Sequence, residues 1–493
     1  MALRRGKQSS ERSGRSRSRG RKAKGDEKDA IDRSRIALSL EEMRQFGYRV
    51  VDLLADHFAH MARRPVGAKA NPARILSLFD LEPSENGRDP RELLAQLERE
   101  VLPNNLHVDH PRFFAFVPGP NNFISTMADA LAAGFNVFNG TWFGGSAAAA
   151  MELGLIRWFC HICGFPSKSG GLFVSGGSMA NLTALVAARH ALLRDRVDGA
   201  TVYLSDQTHS SVERALRVIG FAPDQIRKLA SDEKFKLPLD TLRGAIAKDR
   251  QNGLRPFCVV ANAGTTNTGA IDPMIDLAEL AAAEKLWLHV DGAFGAAAIL
   301  SERGRALLRG LERADSVTLD PHKWLFQSFE CGCVLVRDAP LLKSAFQIIP
   351  DYLRDVYRGI EEVNFCDYGV QLTRSFRALK VWLSLQTFGL TAFREAITRG
   401  FELAELAERE LRARHGWEIL SPAQLATVCF RFGSDDEVQT QLVDAMMNDG
   451  YALLTSTTLK GAASLRLCTI NPRTTGEDIV ETVKRLDRFA RQL

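Results

Sequence analysis

Lys323 has a setting that suits covalent chemistry. It lies in Asp320-Pro321-His322-Lys323-Trp324, directly after the apolar run Ser316–Leu319. An amine at the end of a buried strand, beside aromatic and apolar side chains, is a Schiff-base candidate for a bound carbonyl group. A carboxylate stands in a similar place, at Asp291-Gly292-Ala293 after Leu286–Val290. Burying it unpaired is costly, so it calls for a cation. A positively charged heterocycle lying against the small Gly292 and Ala293 would supply one.

Three further segments repeat the pattern. Ser175-Gly176-Gly177-Ser178 follows Gly171–Val174 and leads into a helical stretch, Met179–Leu193. Glycines let the backbone approach a ligand and the free N–H groups of a helix start attract an anion, so Gly177 and Ser178 read as a phosphate cradle. Ser205–Ser211 brings the imidazole of His209 after Thr201–Leu204, and Asn262–Thr266 brings hydroxyls after Pro256–Ala261. Each segment alone has a plainer reading: a turn, a structural histidine, a salt bridge, or a lysine stem packed on Trp324. Five of them together favour one site.

The elements that must position these groups alternate short apolar strands with amphipathic helices from residue 122 to 395. That is the pattern of a mainly parallel sheet covered on both faces, in which ligands bind beyond the carboxyl ends of the strands. Cys333–Val336 reads as one more strand, antiparallel to the rest. Residues 1–38 form an Arg/Ser-rich tail that buries too little apolar surface to order itself. Residues 39–121 form a helical segment opening on the capping box Ser39-Leu40-Glu41-Glu42, with a second helix at Pro90–Leu102. Residues 396–493 read as a small α/β domain, with strands at Ala426–Phe432, Tyr451–Thr455 and Ser464–Ile470 and helices at Asp436–Met447 and Thr475–Gln492.

The formal charge of +5 comes from the tail, where residues 1–35 carry 13 Lys/Arg against 5 Asp/Glu, so the remaining chain is slightly acidic. The tail is the one segment suited to nucleic acid, and the rest gives no such signal. No apolar run is long enough to span a bilayer and no secretory leader is evident, so the reading is a cytoplasmic protein. The 8 cysteines are scattered and read as reduced thiols. The Cys160/Cys163 pair reads as helix packing, and no metal site is expected.

The chain resembles the group II pyridoxal-phosphate decarboxylases, the family of aromatic L-amino acid decarboxylase, through His110-Pro111-Arg112-Phe113-Phe114, Ser205–Ala215, Gly264-Thr265-Thr266, Asp291-Gly292-Ala293, Pro321-His322-Lys323-Trp324 and Arg374–Lys380. The resemblance implies the PLP-dependent transferase fold (aspartate aminotransferase-like, fold type I) and a homodimer with its active site at the subunit interface, the N-terminal helices lying over the partner. It implies pyridoxal 5'-phosphate as cofactor and an L-amino acid, aromatic or related, as substrate, converted to the amine and CO2. Lys323 would hold the cofactor, Asp291 would pair with its ring nitrogen, and His209 would stack on the ring. Gly177 and Ser178 would bind the phosphate, and Thr266, Ala293, Asp320 and His322 would complete the cofactor site. Tyr352, in Ile349-Pro350-Asp351-Tyr352-Leu353, would protonate the α-carbon after CO2 leaves.

The sequence departs from that pattern in two places. Asp320 replaces an asparagine near the phosphate, where a second anion would repel it. Val108 and Gly140 replace aromatic residues of the substrate pocket, leaving Pro118, Gly119, Phe138, Trp142 and Thr373 as its candidate lining. Competing readings are an oxidative aldehyde synthase on the same scaffold and a noncatalytic binding protein. Retention of His209, Asp291, Lys323 and Tyr352 together argues against the latter.

Overall fold

The computed structural model describes residues 36–80, 82–83, 85–349, 351 and 362–493; the Arg/Ser-rich residues 1–35 and Tyr352 lie outside them. Two compact units divide between Leu53 and Leu54. In the first, the expected capping box is formed: Ser39 N–H donates to Glu42 Oε2 at 2.7 Å and Glu42 N–H to Ser39 Oγ at 3.2 Å, at the start of helix Leu40–His60.

The second unit is built on a seven-stranded sheet. In chain order its strands are β1 (Gly170–Val174), β2 (Ala200–Ser205), β3 (Ile226–Leu229), β4 (Arg255–Asn262), β5 (Trp287–Asp291), β6 (Ser316–Leu319) and β7 (Gly332–Val336). They lie side by side as β1-β7-β6-β5-β4-β2-β3. β7 pairs antiparallel with both β1 and β6, as its sequence suggested, and the other pairs are parallel.

Both faces of the sheet are covered, which the period of two along each strand makes possible. Leu172, Val174, Val202, Leu204 and Val260 face one buried cluster, while Phe173, Tyr203, Val259, Leu288 and Val290 face the other. β5 therefore turns Trp287, His289 and Asp291 to one side and Leu288 and Val290 to the opposite side. The helix Gly177–Leu193 covers the side holding Trp287, burying Ala180, Ala184, Ala187 and Ala188 against it.

A smaller four-stranded antiparallel sheet, ordered β10-β11-β9-β8, follows: β8 (Trp417–Gln424), β9 (Thr427–Phe432), β10 (Thr455–Leu459) and β11 (Ala462–Cys468). Helices Asp436–Asp449 and Gly476–Ala490 pack on it through Leu442, Met446, Ile479, Val483 and Leu486. Residues 378–412 form two helices that meet at Gly389, which has non-helical backbone angles, and the boundary read at 395/396 falls within the second of them. β3 and β8 are edge strands without a clear sequence signature, the first charged and four residues long, the second carrying Pro422. Tyr451–Thr455 does not form the strand its composition suggests. Leu453 makes a lone bridge to Phe113, and pairing begins only at Thr455.

Candidate active site

The carboxyl ends of β1, β2, β4, β5 and β6 open into a single cavity of about 300 Å³. Gly177, Ser178, His209, Thr266, Asp291, Ala293, Asp320, His322 and Lys323, nine residues that the sequence reading assigned to one site, all line it. The substrate-pocket candidates are not among its lining residues. Phe138 and Thr373 line a neighbouring cavity together with Phe329, and a side chain at Gly119 would collide with the Phe329 ring. Pro118 is buried, and Trp142 is partly buried against the same hydrophobic cluster as Leu172 and Val174.

Lys323 and Asp291 come from adjacent strand ends. Lys323 Nζ ion-pairs with Asp320 Oδ2 at 3.0 Å, and that oxygen also accepts the Gly177 N–H at 2.9 Å. The first donor of the expected phosphate cradle is thus turned onto a side-chain anion. Asp320 Oδ1 is buried with no hydrogen-bond partner. Gly177 is required by space: a Cβ there would come within 2.8 Å of Asp320 Oδ2 and 3.0 Å of the Ala293 Cβ. His322 approaches the same carboxylate at 3.6 Å, while its Nδ1 accepts the Cys331 N–H at 3.1 Å.

Asp291 is 7% exposed and accepts from two neutral donors, Asn181 Nδ2 at 2.9 Å and the Ala293 N–H at 3.2 Å. No cation pairs with it among the described residues, so a carboxylate faces the cavity with its charge uncompensated. His209 stands at the cavity mouth, open to solvent on one edge. The groups around it still desolvate the ring and hold its pKa below the ordinary imidazole value, against the pull of Asp291. His322 is lowered for the same reason, burial outweighing the attraction of Asp320.

His289 and Asn181 carry a large share of the site's organisation, and the sequence reading passed over both. A signal was present in Trp287-Leu288-His289-Val290-Asp291, whose alternation puts three polar-capable side chains on one face of a strand otherwise apolar. Burial drives the His289 pKa down to about 4, so the ring is neutral.

A buried ion pair braces the wall beside the cavity. Arg374 Nη2 meets Glu152 Oε1 at 2.6 Å and the Phe173 carbonyl at 2.7 Å, tying β1 to the segment before helix Ala378–Arg412. Outside the cavity lining, His57, His107 and Asp109 bring ligand-type atoms within 4.8 Å of one another. Asp109 already pairs with His57 at 2.8 Å and is neutralised further by Arg473, so this trio satisfies itself.

The cavity therefore offers an amine, an uncompensated carboxylate on a neighbouring strand, a glycine-lined helix start whose first N–H is held by Asp320, and an imidazole at the rim. Its volume is at the small end of the range for small-molecule sites. That donor set fits a flat heterocycle that is cationic at one end, anionic at another, and carries an amine-reactive carbon.

Comparison with known proteins agrees. A family model described as the pyridoxal-dependent decarboxylase conserved domain matches residues 72–433. An aromatic-L-amino-acid decarboxylase of Bacillus atrophaeus is 48% identical over 467 residues, covering 93% of this chain and 97% of that protein. A phenylacetaldehyde synthase of Petunia hybrida is 30% identical, covering 89% and 92%. Among solved structures, that of Oryza sativa TDC with PLP and tryptamine superposes with a TM-score of 0.88 at 28% identity, covering 92% of this chain and 99% of that one.

Proposed function

This chain belongs to the pyridoxal-dependent decarboxylase family, and from that premise we propose that it converts aromatic L-amino acids to their amines and CO2. That it is a pyridoxal-phosphate-dependent amino acid decarboxylase of fold type I follows from the family match and the similarity to the Bacillus protein. The aromatic side chain is the finer reading, supported by that relative's name. One observation carries the assignment of roles: Lys323 and Asp291 face the same cavity, and among the described residues Lys323 ion-pairs with Asp320 while no cation pairs with Asp291.

When bound, pyridoxal phosphate supplies an electron sink for the charge left at the α-carbon as CO2 departs. Lys323 Nζ is the amine that would hold the cofactor. Asp291 holds a proton on the ring nitrogen, each unit of raised pKa there being about 1.4 kcal/mol. Gly177 and Ser178 at the helix start would hold the phosphate, in competition with the Asp320 carboxylate that accepts the Gly177 N–H. Thr266, Ala293 and His322 shape the walls. His209, lining the cavity, would stack on the ring and orient the substrate carboxylate. Tyr352, assigned from sequence alone, returns a proton to the α-carbon.

We also assign a homodimer with the cavity at the subunit interface. Leu76, Phe79, Leu93, Leu97 and Leu102 of the helical segment are exposed, more apolar surface than short surface helices ordinarily leave to water. No helix among the described residues is long and apolar enough to cross a membrane, and Cys160, Cys163, Cys258, Cys331, Cys333, Cys429 and Cys468 are buried free thiols. Free thiols suit a reducing compartment, which supports a cytoplasmic location.

The test is a panel of single L-amino acids supplied to the protein loaded with pyridoxal phosphate, with CO2, amine and hydrogen peroxide measured together. Amine from phenylalanine, tyrosine or tryptophan, absent in Lys323→Ala, supports the reading. Turnover confined to glutamate or another nonaromatic substrate would overturn the aromatic assignment. Peroxide matching CO2 would favour the aldehyde-forming outcome named for the petunia relative.

A further inference from the structure

A continuous chain of hydrogen bonds runs behind the cavity from the sheet interior to His209. It starts at Trp287, whose indole N–H is a donor only, and reaches Ser316 Oγ at 2.8 Å. Ser316 Oγ is 2.8 Å from His289 Nδ1, and His289 Nε2 is 3.0 Å from Asn181 Oδ1, which Thr318 Oγ1 also reaches at 2.7 Å. Asn181 Nδ2 then donates to Asp291 Oδ2 at 2.9 Å and to Ser211 Oγ at 3.0 Å. Ser211 Oγ lies 2.8 Å from His209 Nδ1.

The strand register builds this chain. His289 pairs across from Ser316 and Asp291 from Thr318, so Trp287, His289 and Asp291 stand beside Ser316 and Thr318 on one face, beneath the helix that carries Asn181. Asn181, His289, Ser316, Thr318 and Ser211 are all at most 3% exposed. Water cannot rescue a wrong orientation there.

Donor and acceptor roles are consequently forced from both ends. A carboxylate only accepts, so Asn181 must turn its NH2 toward Asp291 and its oxygen toward Thr318 and His289. His289 must then donate from Nε2, leaving Nδ1 to accept from Ser316, whose oxygen takes the indole proton. The second N–H of Asn181 occupies Ser211 Oγ, which leaves the Ser211 hydroxyl proton for His209 Nδ1. The Ser211 backbone N–H points at that same nitrogen at 3.3 Å, so Nδ1 can only accept.

We propose that Asn181 and Ser211 are positioning residues that lock His209 in the Nε2–H tautomer, so that its free edge presents a proton donor to the cavity. The same asparagine holds Asp291 in place, making one side chain responsible for aligning two groups that flank the cofactor site. The link to catalysis rests on the function proposed above; the tautomer does not.

Nitrogen-15 NMR of the imidazoles in the full-length protein without cofactor reads the tautomer directly. A single neutral His209 species protonated at Nε2 is expected, and an Nδ1–H species or an even mixture would overturn the proposal even with no variant made. In Ser211→Ala the hydroxyl donor is gone, so His209 should become a tautomer mixture and kcat should fall about tenfold with KM and pyridoxal phosphate affinity little changed. Ser211→Thr should restore both signals. In Asn181→Leu, pyridoxal phosphate affinity should fall as well, because Asp291 loses its donor. An unchanged His209 spectrum in Ser211→Ala would sink the idea. Loss of decarboxylation in a wild-type protein with the expected tautomer would instead count against the function.

Discussion

Asp320 Oδ2 lies 3.0 Å from Lys323 Nζ while accepting the backbone N–H of Gly177 at 2.9 Å, so one buried carboxylate neutralises the reactive amine and occupies the phosphate cradle. A phosphate arriving at Gly177 meets an anion already seated there. Asp320→Asn removes the charge and keeps the shape. Its affinity for pyridoxal 5'-phosphate should rise by about tenfold, a modest yield for a close like-charge pair at the effective dielectric of a protein site. Unphosphorylated pyridoxal should bind both proteins alike, and equal gains for the two ligands would mean that Asp320 acts on something other than the phosphate.

Tyr352 lies outside the described residues, so its role is a matter for chemistry. A phenylalanine there keeps the bulk and removes the proton. Tyr352→Phe should still bind pyridoxal phosphate and release CO2, but with molecular oxygen and water consumed and aldehyde, ammonia and peroxide formed in place of amine. Unchanged amine yield would refute the assignment.

Glu152 and Arg374 are 0% and 2% exposed and meet at 2.6 Å. Glu152→Leu strands a buried guanidinium. The cost should be about 3–5 kcal/mol, seen as a large drop in Tm. Replacing both residues by leucine should cost less than the single change, since no buried charge is then left unpaired. A double variant no more stable than the single one would show that hydrogen bonds to the Asn139 and Phe173 carbonyls, and not the ion pair, hold this wall.

Acid should destabilise the fold through its buried histidines. His289 and His110 are both held down to about 4 by burial, against 6.5 when free. Between those values the unfolded chain takes up protons that the folded chain refuses. Stability is therefore full above about pH 6.5 and lost as pH falls toward 4, by up to about 1.4 kcal/mol per pH unit for each ring. Thermal melts across that range should show the fall, and a shallower one in His289→Gln. Identical slopes would remove His289 from the account.

Much of this site is legible in the sequence, because a parallel sheet puts the residue after each strand at the same edge. Runs such as Ser316–Leu319 and Leu286–Val290 announce their strands by composition, and the polar residues behind them need only be collected. β3 and β8 escaped for the opposite reason: an edge strand is half solvated and tolerates charge or proline, so it carries no apolar signature. Phe138, Trp142 and Thr373 show a different limit. Which cavity wall or core cluster each of them joins depends on how loops pack, which local pattern does not encode.

The amino-acid order alone determined which groups end each strand, and with them the amine, the carboxylate and the family to which the chain belongs. It could not reveal that Asp320 would fill the anion cradle, or that Asn181, more than a hundred positions before His289, would join it to Asp291 and His209. Those pairings arise only when a helix is laid across two strands in one particular register. Burial then forces every donor and acceptor to find its partner, and only the tertiary structure decides which partner that is.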